Sequence, residues 1–184
     1  MSDQPSPQSL RTEAIETLLI EKKLLTSEAI DTVLTTFSEQ VGPMNGAKLV
    51  ARAWVDQSFK ARLLEDATTI VQEYGFEGGQ VDKLIVKACS ESVHHVVVCT
   101  LCSCYPWAVL GLPPRWYKDP GYRSRIVREP RKVLTEMGLT LPETTSIKVW
   151  DSSAEIRYLV LPLRPAGTED LDETALAELI TRDA

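Results

Sequence analysis

The stretch DKLIVKACSESVHHVVVCTLCSC, residues 82–104, decides the fold, because two apolar runs in it predict β-strands and a group of cysteines follows the second run. The runs DKLIVKAC and VHHVVV are rich in β-branched residues and flank the short polar turn SES, which predicts a first pair of strands. Three of the four cysteines, Cys99, Cys102 and Cys104, come directly after the second run. We therefore expect a loop with three thiols at the end of a buried strand.

Downstream of this stretch, SIKVWD and EIRYLVLPL flank the polar turn SSA and predict a second strand pair. Residues 106–121 are rich in proline, glycine and aromatic residues, which predicts an ordered but irregular loop. A short helix should begin near Pro130 and stop at Gly138. The run DETALAELIT predicts a terminal helix, with Asp170 as its cap and Glu173 three residues on.

The first part of the chain shows helical rather than strand periodicity. Four helices are predicted, the fourth from about Phe59 to Tyr74 with Gly75 just past its end. The first three carry apolar residues at helical spacing: Ile15, Leu18 and Leu19; Ile30, Val33, Leu34, Phe37 and Val41; Leu49, Val50, Ala53 and Trp54. The fold class is therefore α+β: an N-terminal helical arm or subdomain over residues 1–75, then a mixed α/β layered body with short β-strands over residues 76–184, which carries the cysteines.

Length and charge restrict the classes of partner. The 184 residues suit one domain with a core, and 43% of them are hydrophobic. The formal charge of −6 repels phosphate backbones and anionic lipids, so neither nucleic acid nor a membrane surface is expected as a partner. The start MSDQPSPQSL lacks the pattern of a secretory signal, which favours the cytoplasm. In a reducing compartment, clustered cysteines are more often metal ligands or redox groups than disulfides.

The spacing C-T-L-C-S-C lets three sulfur atoms converge on one point, and several kinds of site fit it. A zinc site wants four ligands, and Cys89 could supply the fourth thiolate only by folding back onto the loop. An iron–sulfur cluster usually requires four cysteines at other spacings. Cys99 and Cys102 alone would make a redox pair. A trivalent metal held by three sulfurs and two backbone nitrogens, with one open position, is a further solution, and the residues alone do not decide among these.

Four longer segments carry a specific resemblance. VGPMNGAKLVARAWVDQSFKARLL, VCTLCSCYPWAVLGLPPRWYK, YRSRIVREPRKVL and VWDSSAEIRYLVLPLRPAGTE closely resemble the α subunit of nitrile hydratase, and the resemblance covers nearly the whole chain after about residue 14. It implies a hydro-lyase that hydrates organic nitriles to amides. It also implies that the chain is active only with a β subunit, in an obligate heterodimer or a heterotetramer.

The resemblance also implies a ligand set. Cys99, Cys102 and Cys104 would give sulfur, Ser103 and Cys104 would give backbone nitrogen, and water or substrate would take the sixth place. Cys102 would be oxidised to a sulfinic acid and Cys104 to a sulfenic acid. The sulfenate of Cys104 would either attack the nitrile carbon or act as base for an attacking water molecule.

The family uses either a non-corrin Co(III) ion or an Fe(III) ion. Its cobalt members carry Thr between the first two cysteines and Tyr after the third, so Thr100 and Tyr105 indicate cobalt, with iron as the less expected metal. A cobalt-delivery activator protein is then an expected partner. Gln80, nineteen residues before Cys99, would be a glutamine near the active site, and Tyr105 and Trp107 would line the substrate pocket.

Two other functions remain as alternatives. The metal-bearing subunit of thiocyanate hydrolase is similar to this family and shares the cysteine loop. A non-catalytic zinc or redox module would hold unoxidised thiols. His94 and His95 are interpreted as structural or solvated residues, because neighbouring side chains on a strand point to opposite faces and at most one of the two could face the site. Cys89 is interpreted as a small buried core residue. The apolar stripe of the first two helices either packs as an ordinary helical subdomain or clasps the β subunit.

Overall fold

The computed structural model describes residues 7–76 and 83–181. Its first part is helical, as the periodicity predicts, and consists of two exposed helices, a π-helix and three packed helices. These are α1 (Pro7–Glu21), α2 (Ser27–Thr35), the π-helix (Thr36–Val41), α3 (Met44–Val55), α4 (Gln57–Glu65) and α5 (Ala67–Glu73).

The structure has two helices where the sequence predicts one continuous helix from Phe59 to Tyr74, so the prediction of a single helix was wrong. The break lies at Asp66, whose carboxylate accepts the backbone N–H of Thr69 at 3.1 Å and caps α5. A side-chain acceptor at a helix start satisfies N–H groups that have no intrahelical partner, which favours a new helix at that residue. Gly75 follows α5 with a φ of +65°, as predicted for the residue that ends the helical part.

The four predicted strands are present, but their pairing differs from the two hairpins that the turns SES and SSA predict. The strands are β1 (Lys83–Ala88), β2 (Val93–Val98), β3 (Ser146–Asp151) and β4 (Ile156–Leu161). They form two parallel pairs, β1 with β4 and β2 with β3. The fold is thus a set of helices with short parallel strands, which confirms the α+β class.

Competition for backbone partners explains the failure of the hairpins. The SES turn closes with one antiparallel bridge, between Ser90 and Val93. The next N–H, that of Cys89, donates instead to Leu161 at 2.8 Å and extends the β1–β4 ladder. At the second turn, the N–H of Ser152 likewise donates to Val98 and extends the β2–β3 ladder. Each strand therefore pairs with a partner that is distant in sequence.

The segment after the cysteines is more helical than the irregular loop that its composition predicts. Prolines explain the difference, because Pro106, Pro114 and Pro120 stand at the starts of three short helices, where proline costs no hydrogen bond. The remaining helices are α6 (Trp107–Leu110), α7 (Arg115–Lys118), α8 (Pro120–Ile126), α9 (Pro130–Glu136) and α10 (Glu173–Glu178).

The two helices predicted at Pro130 and near the carboxyl end are confirmed, with one correction. The helix α9 starts at Pro130, and Gly138 follows it with a φ of +96°, as expected. The cap of α10 is Asp172 rather than Asp170, because the Asp172 carboxylate accepts the N–H of Ala175 at 2.8 Å.

Two apolar cores hold the body together, one on each strand pair. The first joins α3, α4 and α5 to β1 and β4, with Leu49, Leu63 and Ile70 fully buried. The second lies beneath the cysteine loop and joins β2 to α8 and α9, with Val98 and Ile126 at its centre. The loop is therefore supported by a packed core. No helix in the described ranges has the length and apolar content needed to cross a membrane.

The helices α1 and α2, together called the arm, contain no buried residue. Their apolar side chains are largely exposed: Leu10, Ile15, Leu18, Val33 and Leu34 on the helices, with Leu24 and Leu25 in the turn between them. An apolar surface of this extent on the arm indicates a site of protein–protein contact.

Candidate metal centre

The three thiols of the cysteine loop converge, as the sequence predicts. The Sγ atoms of Cys99, Cys102 and Cys104 all lie within 4.8 Å of one another. The Sγ of Cys102 is 3.4 Å from that of Cys99 and 3.0 Å from that of Cys104. Cys99 is buried at the end of β2, Cys102 is exposed, and Cys104 is partly buried. The cluster is thus fixed at one end in the core and open to its surroundings at the other.

The pKa values of the thiols differ across the cluster. Hydrogen bonds from Cys104, and then from Cys99, lower the pKa of Cys102 to about 7, and the backbone N–H groups of Ser103 and Cys104 contribute. Burial raises the pKa of Cys104 to about 12, as do its contacts with the other two sulfurs. Cys102 therefore ionises before Cys104.

This donor set fits a single metal ion. Sulfur ligands bound at about 2.3 Å to one ion and at right angles to each other are about 3.3 Å apart, close to the two shorter separations in the loop. Among the described residues, the group able to hold a metal contains these three cysteines and not Cys89. The fourth thiolate that a zinc site would require is therefore not brought to the loop.

A carboxylate from a distant strand anchors the loop. Asp151, at the end of β3, accepts the backbone N–H of Thr100 at 3.0 Å and the Thr100 hydroxyl at 2.5 Å. Because β3 is the parallel neighbour of β2, with Asp151 opposite Val98, its last residue stands beside the first residues of the loop. Asp151 thus ties Thr100, which lies between the first two cysteines, to the sheet.

Replacing Asp151 by Ala should loosen the loop. The backbone N–H and the hydroxyl of Thr100 would lose a charged acceptor, a loss of about 1.4 kcal/mol or more, which corresponds to about tenfold faster metal release. The release rate is measured with a chromogenic chelator. Asp56→Ala is the matched control, because Asp56 also accepts a backbone N–H, that of Phe59, but caps α4. Equal release rates in the two variants would contradict the anchoring role.

Aromatic hydroxyls support the same loop from below. Tyr117 donates to the carbonyl of Cys104 at 2.8 Å, and Tyr122 donates to the carbonyl of Val97 at 2.8 Å. Burial raises the pKa of both hydroxyls, so they remain protonated donors at neutral pH. Trp116 packs edge-to-face on Tyr122, with ring centroids 5.0 Å apart. The cysteine loop therefore rests on an aromatic layer that also holds the end of β2.

The pair Tyr117→Phe and Tyr122→Phe separates support of the loop from general stability. Each variant loses one buried hydrogen bond, so each should be less stable to unfolding by about 1 kcal/mol. Only Tyr117→Phe should also lose metal faster, by about threefold to tenfold, because Tyr117 alone of the two contacts the third cysteine. Chemical unfolding and metal-release rates measure the two effects. Equal metal release in both variants would show that Tyr117 stabilises the core and not the loop.

Arg157 is a buried cation next to the cluster that the sequence did not single out. It lies on β4, is 6% exposed and donates to the carbonyl of Ser153. Its Nε atom is buried and has no hydrogen-bond partner among the described residues. The positive charge opposes the rise in the pKa of Cys104. The chain therefore provides its own positive charge near the third sulfur.

The other residues named from the sequence have varied positions. Ser103 is partly buried between the second and third cysteines. Tyr105 is buried and packs edge-to-face on Tyr117 at 5.0 Å. Trp107 is partly buried at the start of α6 and packs against Phe37 of the π-helix. Gln80 lies outside the described residues.

The two histidines and the fourth cysteine form separate contacts. His94 Nδ1 is 3.8 Å from the Cys89 thiol, and burial lowers the pKa of His94 and raises that of Cys89. His95 accepts the indole N–H of Trp150 at 2.9 Å. These contacts link neighbouring strands, in agreement with the structural interpretation of all three residues.

Comparison with known proteins gives one consistent family. The family described as "Nitrile hydratase, alpha chain" matches residues 6–184. The low-molecular weight cobalt-containing nitrile hydratase subunit alpha of Rhodococcus rhodochrous is 55% identical, over 95% of this chain and 84% of its own. An Fe-type nitrile hydratase double mutant from Comamonas testosteroni Ni1 has a similar structure, with a TM-score of 0.85 and 44% identity over 96% of this chain and 86% of that chain.

A related enzyme with a different name is also similar. Thiocyanate hydrolase subunit gamma of Thiobacillus thioparus is 43% identical, over 92% of this chain and 74% of its own. The sequence identity to this hydrolase subunit is lower than that to the cobalt-containing relative, and the match covers a smaller share of the hydrolase subunit.

Proposed function

Because the chain belongs to the nitrile hydratase alpha-chain family, we propose that its three clustered cysteines hold a catalytic metal ion and that this ion is non-corrin Co(III). Nitrile hydratase is a hydro-lyase that adds water to a nitrile to give an amide, and its alpha chain works in a complex with a beta chain. The activity of this chain is therefore nitrile hydration as one half of an enzyme. The observation that carries the metal proposal is the convergence of three sulfur atoms within 4.8 Å of one another.

Cys99, Cys102 and Cys104 would supply sulfur, and the backbone nitrogens of Ser103 and Cys104 would supply two further ligands. The backbone N–H groups of Ser103 and Cys104 both help to lower the pKa of Cys102, which supports this set. When bound, a trivalent ion supplies a Lewis-acid site that makes a nitrile carbon more electrophilic. Thr100 and Tyr105 favour cobalt over iron as the natural metal, in line with the cobalt-containing relatives.

Oxidation by molecular oxygen or a peroxide, which converts Cys102 to a sulfinic acid and Cys104 to a sulfenic acid, completes the proposed centre. The exposure and low pKa of Cys102 support the first, because the thiolate is the form that is oxidised. For Cys104, the nearby Arg157 guanidinium would stabilise a sulfenate oxygen. The Cys104 sulfenate then either attacks the nitrile carbon or removes a proton from an attacking water molecule. If the sulfenate oxygen bonds to the nitrile carbon, a water molecule then attacks the sulfur, the original S–O bond breaks to release the amide, and the water oxygen restores the sulfenate. If the sulfenate acts as base, the water oxygen bonds directly to the nitrile carbon. In both cases the two hydrogen atoms of water end on the amide nitrogen.

Trp107 and Tyr105 are proposed to line the substrate pocket, and Gln80 to hydrogen-bond near the active site. Trp107 is the better supported of these, because it is only three residues beyond Cys104 and partly exposed. Tyr105 would act through the aromatic layer, since it is buried against Tyr117. Small organic nitriles are the proposed substrates.

The proposed partners are the beta chain, in a heterodimer or a heterotetramer, and a cobalt-delivery activator protein. The exposed apolar residues of the arm support a large protein interface. We divide the chain into a helical part over residues 1–75 and a metal-binding body over residues 76–184. The proposed interface lies on the helical part. The reducing cytoplasm is the proposed location, because clustered cysteines in such a compartment are more often metal ligands than disulfides.

One preparation tests the metal, its oxidation products and the reaction together. The chain is produced with its beta chain in cobalt medium, and cobalt, iron and zinc are measured per chain alongside the intact mass. We expect about one cobalt per chain, a mass increase of three oxygen atoms, and faster turnover of an aliphatic nitrile than of thiocyanate. Zinc with no added oxygen would contradict the proposed centre. Faster turnover of thiocyanate would instead favour the second candidate function, for which the thiocyanate hydrolase relative is the supporting observation.

A further inference from the structure

An aromatic contact joins the base of the arm to the segment that follows the cysteine loop. The rings of Phe37 and Trp107 meet edge-to-face, with centroids 5.4 Å apart and an interplanar angle of 66°. Phe37 lies in the π-helix, and Trp107 is the first residue of α6. Both side chains are only partly buried. Trp107 packs against the second apolar core, and Phe37 lies at the edge of that core.

The backbones around this pair approach too closely to allow much adjustment. A Cβ atom added to Gly111, which ends α6, would lie 2.2 Å from the carbonyl oxygen of Phe37. A Cβ atom added to Gly42 would lie 2.1 Å from the carbonyl oxygen of Leu110. These contacts require glycine at both positions, because no side chain fits between the two segments. The π-helix and α6 thus form a rigid joint.

A hydrogen bond fixes the same joint from the other side. The side chain of Asn45, at the start of α3, donates to the carbonyl of Ala108 at 3.0 Å. The segment of α6 is therefore held by backbone contacts at its end and by a side-chain contact in its first turn. The Trp107 indole packs against the second apolar core, and the Phe37 ring meets it edge-to-face, so these two contacts together set its orientation.

We propose that Phe37 is a positioning residue that fixes the indole of Trp107 and so sets the size of nitrile that the site accepts. The inference rests on the proposed function for the role of Trp107 as a pocket residue. Aromatic pairs in edge-to-face contact contribute more free energy of stabilisation than the burial of their apolar area alone, and the contact restricts the orientation of each ring. A π-helix within a helical segment often marks a functional position, and this one packs on α6, the helix that follows the cysteine loop. The π-helix is thereby connected to the proposed substrate side of the loop through the Phe37 ring, in addition to its backbone contacts with the end of α6.

The kinetic test uses the cobalt-loaded complex with the beta chain. Phe37→Leu keeps an apolar side chain but removes the ring edge that restrains Trp107. We expect the KM for a small aliphatic nitrile to rise by about threefold to tenfold, with kcat within about twofold of the original value and cobalt content unchanged. The ratio of kcat/KM for an aromatic nitrile to that for the small nitrile should rise, because a freed indole enlarges the pocket. Phe37→Tyr retains the ring and should restore the original ratio.

Phe59→Leu is the matched control, because Phe59 is buried in the first apolar core and its ring packs on Tyr74. It should lower stability without changing the substrate ratio. An unchanged substrate ratio in Phe37→Leu would overturn the proposal. So would a loss of cobalt in that variant, since Phe37 would then support the loop itself and not Trp107.

A second readout separates this inference from the proposed function. In the ¹⁵N-labelled complex, the indole signal of Trp107 is identified by its loss in Trp107→Phe. Phe37→Leu should shift and broaden that signal and leave those of Trp54 and Trp150 in place. If the complex hydrates no nitrile but the Trp107 signal responds in this way, the proposed function fails and the positioning role stands. An unmoved Trp107 signal would refute the positioning role whatever the activity.

Discussion

Replacement of Cys99 by Ala is expected to remove the metal from the complex and to reduce nitrile hydration by a factor of about 10³ or more. Cys99 is 1% exposed at the end of β2, so its sulfur is the one fixed by the core. Its Sγ also accepts the backbone N–H of Cys102 at 3.2 Å, which holds the turn of the loop. Without it, two sulfurs remain on a loop that has lost its innermost contact. Metal per chain and turnover of an aliphatic nitrile are the measurements.

Cys89→Ala is the control that the chain itself offers. Cys89 is a free, partly buried cysteine whose thiol contacts His94 and lies outside the converging group. Its replacement should change stability slightly and leave metal content and turnover as they are. Retention of one metal per chain in Cys99→Ala, or its loss in Cys89→Ala, would refute the assignment of the loop as the metal centre.

Removal of residues 1–25 is expected to weaken binding of the beta chain by at least about a hundredfold. This deletion takes away α1 and the exposed leucines Leu24 and Leu25, and it keeps Thr26, which caps α2. Since α1 has no buried residue, the body should keep its stability to unfolding. Loss of two buried apolar contacts at an interface costs about 1.4 kcal/mol each, which gives a factor of about one hundred. Affinity is measured by titration of the tagged beta chain.

Two substituted chains test the same surface without shortening the protein. Ile15→Ser with Leu18→Ser removes apolar side chains from α1, both of them more than half exposed. Glu13→Gln with Glu16→Gln changes one exposed and one partly exposed polar residue of the same helix and is the matched control. Only the first pair should weaken the complex. If both pairs bind the beta chain equally well, α1 is part of an ordinary helical subdomain and not an arm that holds the partner.

Local features of this fold could be predicted from the sequence, because they depend on neighbouring residues. The spacing of Cys99, Cys102 and Cys104 already requires that a tight loop bring the sulfurs together. The apolar runs likewise predict each strand, since β-branched residues favour extended backbone wherever the partner lies. Helix ends at Gly75 and Gly138 follow from the conformation that glycine alone adopts at low cost.

Features that depend on strand pairing could not be predicted in the same way. Two short polar turns predict two hairpins. No local signal shows that the backbone N–H of Cys89 will donate to the carbonyl of Leu161 instead of continuing the first hairpin. Once β2 is known to pair with β3, Asp151 becomes an obvious partner for the residue after Cys99. Arg157 was missed for a similar reason, because its approach to Cys104 depends on the position of β4.

Each of the four strands pairs with a strand that is distant in sequence, and this pairing also affects biosynthesis. The cysteine loop leaves the ribosome well before β3 and β4, yet Asp151 must arrive before Thr100 is held. Contacts between residues so far apart in sequence form late, since closing a long stretch of chain is slow. A nascent chain therefore carries three exposed soft ligands without the scaffold that orders them. Metal capture is expected to follow completion of translation, and a truncated product ending before residue 146 should remain empty.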